Sequence, residues 1–287
     1  MSNSQLVWLI TGAASGFGKQ LALEALSRSD KVIATSRSAS RLAPLKQHGA
    51  ETVELDVTSP LAGLHQAAKA ATAIYGKIDV LVNSAGYISV GAVEEATPEE
   101  TYDQFNTNVF GALNITRAFL PYMRERRSGT IAFMGSVGGW RPCPIFPMYA
   151  ATKYAIRGIS ESLHGEIAPL ELRSIVFEPG YTRTNFLQSG HRGPYENRIE
   201  DYKALGEQRN AALLAANGKQ PGDPVKASSI IVDVIRGEGV ATGKPFPTNL
   251  ALGSDSYAGV KMSCENNWGM LEEWKDVICS ADFPKGS

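Results

Sequence analysis

Tyr149 and Lys153 stand four residues apart in a stretch with helical spacing, which sets both side chains on one face, one turn from each other. A phenol of ordinary pKa, about 10, is a poor base near neutrality. An ammonium beside it favours the phenolate and brings that value down. Such a pair can give a proton to a substrate oxygen or take one from it. Tyr-x-x-x-Lys recurs by chance in many chains, so the chemistry needs a third group. Ser136 lies 13 residues before Tyr149, just after the apolar run Gly129–Met134, and sets a hydroxyl at the end of that run.

A second constellation sits near the N-terminus. Gly12, Gly16 and Gly18, with Ser15 and Phe17 between them, follow an apolar run and open a helical pattern. The spacing is G-x-x-x-G-x-G. Glycine at such a turn permits positive φ and lets the backbone approach a pyrophosphate, while free N–H groups at the helix start face the anion. The next β-prone run ends in Ser36-Arg37. An acid at that place would serve ribose hydroxyls and repel a 2′-phosphate; an arginine offers that phosphate a planar fork. The reading is NADP(H), unless Arg37 is only a surface charge. Asp56, followed by Val57, is placed either to accept from an adenine amine or to serve as an N-terminal acid for the next helix.

These groups must be held by alternating elements. Strands are expected at Leu6–Ile10, Lys31–Ser36, Glu51–Leu55, Ile78–Val82, Gly129–Met134 and Arg173–Phe177, and helices at Gly16–Ser27, Pro60–Tyr75, Pro98–Arg126 and Met148–Leu170. The strands are Val-, Ile- and Leu-rich rather than cleanly alternating, as strands buried on both faces are. The alternation predicts an α/β fold: one Rossmann-type, doubly wound parallel sheet with helices on both faces. The glycine turn, Asn83-Ser84-Ala85-Gly86, Ser136 and Pro179-Gly180 then all fall at carboxyl ends of strands, where ligands of such sheets bind. The irregular, polar stretch 181–224 reads as a substrate loop or lid inserted over the sheet edge. A helix near Val225–Arg236, a strand near Leu250–Leu252 and a helix near Ser256–Trp274 complete a single domain over 1–287, with 5–185 its cofactor and catalytic core and 225–287 its C-terminal part.

The 287 residues carry 28 basic and 29 acidic side chains, a formal net charge of -1. This excludes the basic excess of a nucleic-acid or acidic-membrane binder. Hydrophobic residues make up 43%, enough for a core without staples. Cys143, Cys264 and Cys279 are odd in number and widely spaced, and His48, His65, His164 and His191 show no ligand spacing, so no disulfide framework and no metal are expected. Without a signal-peptide pattern or an apolar run near 20 residues, the expected place is the cytoplasm.

Taken together, these motifs resemble the short-chain dehydrogenase/reductase family. T-G-x-x-x-G-x-G matches Thr11 to Gly18, N-N-A-G matches Asn83 to Gly86 with Ser84 in place of the second Asn, and N-x-x-G matches Asn108-Val109-Phe110-Gly111. The family's Ser, Tyr and Lys match Ser136, Tyr149 and Lys153, and P-G-x-x-x-T matches Pro179 to Thr184. The resemblance implies that Tyr149 is the general acid in carbonyl reduction and the base in alcohol oxidation. Ser136 orients the oxygen, and Lys153 tunes the phenol and holds ribose hydroxyls. Asn108 holds a water of a proton relay, and Thr182 and Thr184 hold the nicotinamide carboxamide. It implies a small-molecule ketone or alcohol as partner, and a homodimer or homotetramer. The loop before Tyr149 makes Trp140 and Phe146, with Tyr181, the expected substrate residues, pointing to an apolar compound. The C-terminal part is similar to family members acting on hydrophobic alcohols, often in microbial secondary metabolism. An isomerase or cyclase without net redox, or a non-catalytic dinucleotide-binding regulator, stays open on the same fold.

Overall fold

The computed structural model describes residues 5–188 and 191–283. Seven parallel strands form one sheet in the order β3-β2-β1-β4-β5-β6-β7: β1 (Val7–Ile10), β2 (Lys31–Ser36), β3 (Glu51–Glu54), β4 (Val80–Asn83), β5 (Gly129–Met134), β6 (Leu172–Pro179) and β7 (Asn249–Leu252). Their side chains alternate between two cores. Trp8, Ile10, Val32, Ala34, Val82, Ala132 and Phe177 face the layer of α1 (Gly16–Ser27) and α8 (Pro224–Arg236). Val7, Leu9, Ile33, Leu81, Ile131, Phe133 and Val176 face the layer of α3 (Leu61–Tyr75), α5 (Ala112–Glu125) and α6 (Pro147–Ile167). Covering both faces is what makes the central strands so apolar, whereas the edge strand β3 keeps Glu51 and Glu54 exposed. The α/β doubly wound sheet expected from the alternation is the one observed.

A short helix α2 (Ala43–Gln47) follows β2. The region read as one helix over Pro98–Arg126 is three pieces: α4 (Pro98–Phe105), a π-helical segment Asn106–Gly111, and α5. Thr97 opens α4 with a capping box: its hydroxyl accepts from Glu100 N at 3.2 Å and Glu100 Oε2 accepts from Thr97 N at 3.0 Å. Within the 181–224 insertion stands α7 (Glu200–Ala216), opened by Glu200 and Asp201. Only Gly206 and Leu213 of α7 are buried, so its sequence carries almost no amphipathic stripe to read. The chain closes with α9 (Ser254–Glu273) and α10 (Lys275–Cys279). No described helix is long and apolar enough to cross a membrane.

Sheet and helices are locked by a buried ion pair. Asp30 accepts from Arg236 Nη1 at 2.8 and 2.9 Å, from the Trp8 indole at 2.8 Å and from Leu6 N at 2.9 Å, joining α8 to β1. β1 lies between β2 and β4, so successive connections leave it in opposite directions, and the crevice at that switch point opens at the strands' carboxyl ends.

Candidate active site

A cavity of about 700 Å³ occupies this crevice, within the usual range for ligand sites. Its floor is the glycine turn. Gly12 has φ +65°, and a Cβ there would come within 2.8 Å of Ala85 Cα; a Cβ on Gly18 would meet Gly12 O at 2.6 Å. Gly12 thus brings the first turn against the β4 loop, and Gly18 lets α1 start directly beneath it. Gly12, Ser15, Gly16 and Phe17 line the cavity, whereas Gly18 serves packing. Thr11 Oγ1 accepts from Ser84 N at 3.0 Å and Ala85 N at 3.2 Å, tying the two strand ends together.

At one end the cavity is bordered by Ser36, Arg37 and Arg41, with Asp56, Val57 and Thr58 nearby. Ser36 Oγ accepts from Ser38 N at 3.2 Å, and Arg37 is exposed. Asp56 Oδ1 is engaged locally, accepting from Thr58 N at 2.9 Å and Thr58 Oγ1 at 2.7 Å. Ala85 and Gly86 line the wall. Asn83 does not: its side chain turns into the core and donates to Thr116 Oγ1 at 3.1 Å.

At the other end, Ser136, Tyr149 and Lys153 meet. Ser136 caps the turn Val137–Gly139, accepting from Gly138 N at 3.0 Å, which leaves its own O–H to donate. Burial pushes the Tyr149 phenol pKa up to about 12, and the neighbouring Ser136 hydroxyl only partly opposes it. Lys153 Nζ donates to Met134 O at 2.7 Å and lies 5.4 Å from the centre of the Tyr149 ring; burial brings its pKa down to about 8. The phenol is therefore a proton donor at neutral pH, beside a cation close to losing its charge.

Asn108 is buried in the π-helical segment and does not border the cavity. Its Oδ1 accepts from Tyr87 N at 3.1 Å, while Nδ2 donates to Tyr87 O at 3.0 Å and Thr152 Oγ1 at 3.2 Å. The amide joins the β4 loop to the helix that carries Tyr149. Gln104, one turn earlier on the same face, adds a bond to Tyr87 O at 2.8 Å and accepts from Ser89 N. That i, i+4 polar pair was a legible signal of a loop clamp, and the sequence reading passed over it.

Pro179, Gly180, Tyr181, Thr182 and Thr184 continue the wall beyond β6. The start of α9 pins this loop: Asp255 Oδ2 accepts from Tyr181 N at 2.6 Å and Ser256 Oγ donates to Glu178 O at 2.7 Å. Phe146 and Tyr181 line the cavity as expected. Trp140, expected beside them, does not border the cavity. Its ring lies under the Arg157 guanidinium of α6 at 3.3 Å, following the tight turn Val137–Gly139. Arg141 and Cys143 of the same loop reach the cavity instead, as do Phe186, Leu187, Leu213 and His191 from the insertion. The Phe186 ring sits 5.8 Å from that of Tyr149. No local pattern marks these residues, because the path of the insertion decides which of them reach inward.

A doubly wound sheet with a glycine turn at its switch point and a Ser-Tyr-Lys group across the crevice defines a dinucleotide-dependent oxidoreductase. Residues 6–193 match the family described as short chain dehydrogenase, and the chain belongs to that family, whose members bind nicotinamide dinucleotides. The chain is 32% identical over 275 residues to the oxidoreductase BOA17 of Botryotinia fuckeliana, covering 94% of this chain and 97% of that one. It is 37% identical over 228 residues to a 3-ketodihydrosphingosine reductase of Bacteroides thetaiotaomicron, covering 79% and 82%. A solved short-chain dehydrogenase from Streptomyces avermitilis superposes with a TM-score of 0.88 at 36% identity, covering 98% and 100%. Among the described residues no group of His, Cys, Asp or Glu is gathered as for a metal ion.

Proposed function

We propose that this chain is an NADP(H)-dependent reductase of apolar ketones, running secondary-alcohol oxidation through the same residues in reverse. The observation that carries the reading is the meeting of the Ser136 hydroxyl, the protonated Tyr149 phenol and the Lys153 ammonium on one cavity wall, facing the glycine turn across the crevice.

The cavity fits the cofactor. Gly12, Ser15, Gly16 and Phe17 would hold the pyrophosphate. Ser36 and Arg37 would hold the 2′-phosphate, Asp56 and Val57 the adenine, Ala85 and Gly86 the middle of the molecule, and Pro179 to Thr184 the nicotinamide. Bound there, the nicotinamide supplies or receives the hydride. The protein does the rest. Ser136 donates to the carbonyl oxygen and polarises it. Tyr149 gives its proton to the oxygen as negative charge develops there. Lys153 stabilises the phenolate that forms, and would also hold ribose hydroxyls. Asn108 positions the β4 loop and the Tyr149 helix against each other, at the place where a relay water would join Lys153 to solvent.

NADP(H) is favoured because β2 ends in Ser36-Arg37 with no carboxylate, and Arg41 stands beside them at the cavity edge. An apolar substrate is favoured because Phe186 packs 5.8 Å from Tyr149 and Phe146, Tyr181, Leu187 and Leu213 line the same cavity. The 37% identical relative is named for reducing a ketone on a sphingosine skeleton. We further propose one domain, a cytoplasmic place, and a homodimer or homotetramer. The test is an absorbance assay of NADPH and NADH against aliphatic, aromatic and long-chain ketones. Stoichiometric NADPH consumption with alcohol formed supports the reading. Product without net loss of NADPH, or no turnover across the panel, overturns it.

A further inference from the structure

We infer that His191 is a phosphate-binding residue of the dinucleotide site, carried in by the insertion, and that its charged form clamps the insertion over the bound cofactor. The inference rests on the dinucleotide reading above. Ser15 is the residue that opens α1, yet its hydroxyl makes no cap bond to that helix. It meets His191 Nε2 at 3.1 Å instead, across 176 residues of sequence. The histidine backbone is fixed independently. His191 O accepts from Ile88 N at 3.1 Å, and Gly193 N donates to Ile88 O at 2.9 Å, clipping the insertion to the loop after β4. Arg192, between them, is bound to Asn210 of α7. The ring is thus delivered to the pyrophosphate turn by main-chain bonds rather than by its own contact.

The surroundings are those of an anion site. Burial holds the imidazole pKa below its ordinary value, and Arg41 and Arg37, from beyond β2, act in the same direction. The first turn of α1 carries no acid, so its N–H groups present uncompensated positive charge. The cavity acid of the next loop, Asp56, is turned to Thr58; Asp103 of α4 and Tyr87 of the β4 loop also border the cavity. Burial and the two guanidinium groups favour the neutral imidazole, which rests on Ser15. A phosphate set among Arg37, Arg41, Ser15 and the start of α1 reverses the balance: the ring takes up a proton and gains a charge-assisted hydrogen bond. The phosphate is the pyrophosphate or the 2′-phosphate, two sources of one chemistry.

The test is fluorescence titration of the full chain with NADPH and with NADH at pH 6 and pH 8, in wild type and His191→Gln, with thermal melts to confirm that the variant is folded. Glutamine keeps a neutral donor and removes the titration. The expected result is a roughly tenfold loss of affinity in the variant at pH 6, the size of one charge-assisted bond, and a much smaller loss at pH 8. Loss with both cofactors assigns the pyrophosphate; loss with NADPH alone assigns the 2′-phosphate. A variant that binds both cofactors like wild type at both pH values overturns the role of His191 and leaves the dinucleotide reading standing. Wild type that binds neither cofactor overturns both. If wild type binds NADH as tightly as NADPH, the NADP preference fails and the pH contrast on NADH alone decides the histidine.

Discussion

The Lys153 ammonium donates to Met134 O at 2.7 Å while lying 5.4 Å from the centre of the Tyr149 ring. One cation is thereby anchored to the end of β5 and kept beside the phenol that must lose a proton. Burial acts on the two groups in opposite senses, raising Tyr149 to about 12 and lowering Lys153 to about 8. Below pH 8 the lysine is charged and supports the developing phenolate; above it, the support is lost. We expect kcat/KM for ketone reduction to be level up to about pH 8 and to fall as one proton is lost beyond it. A pH–rate profile that stays level to pH 10 would contradict this.

Arg37 borders the cavity where β2 ends, with Ser36 beside it. Losing a charge-assisted fork to a phosphate costs on the order of 2 kcal/mol. We expect Arg37→Ala to weaken NADPH binding by about 30-fold while NADH binding changes by less than about threefold. Calorimetric titration of both cofactors checks it, and equal losses for the two would remove Arg37 from 2′-phosphate recognition.

What was legible in the sequence was what local spacing fixes. Tyr149 and Lys153 share a face because α6 is helical, and Gly12, Gly16 and Ser136 reach the cavity because a parallel sheet gathers its strand ends on one rim. What was not legible depended on the path of loops. Trp140 is apolar and adjacent to Ser136's turn, yet a tight turn aims it at Arg157, while Cys143 three residues on faces inward. The π-helical segment Asn106–Gly111 lies inside a good helical pattern, since one inserted residue leaves the apolar periodicity nearly intact. His191 was placed in the insertion, but its contact with Ser15 could not be read, because the two lie 176 residues apart.

The Asp30 carboxylate, 4% exposed, holds Arg236, Trp8 and the Leu6 amide together. Removing it leaves a buried guanidinium and an indole N–H without that partner. We expect Asp30→Ala to destabilise the fold by about 3–5 kcal/mol, read by urea denaturation. A loss under about 1 kcal/mol, the scale of an exposed pair, would show that the clamp is not structural.

Glu178, 1% exposed at the end of β6, has its pKa pushed up to about 7 by burial, with the Trp140 indole and Arg157 only partly opposing. An acid raised in the folded state contributes most below its unfolded pKa, and that contribution falls away as pH rises towards the folded value. We expect Glu178→Gln to melt at a higher temperature than wild type at pH 8 and to lose that advantage by pH 5. An advantage that is absent at pH 8, or constant with pH, would contradict the assignment of a strained buried carboxylate.

The central claim is that the Tyr149 phenol delivers the proton. Its most direct test is Tyr149→Phe, assayed for ketone reduction by NADPH and, separately, for NADPH binding. The phenyl ring keeps its place against Phe186, 5.8 Å away, so binding should hold within about threefold of wild type while kcat falls by roughly 10³-fold or more. Turnover within about tenfold of wild type, with the cofactor bound, would assign the proton to another group.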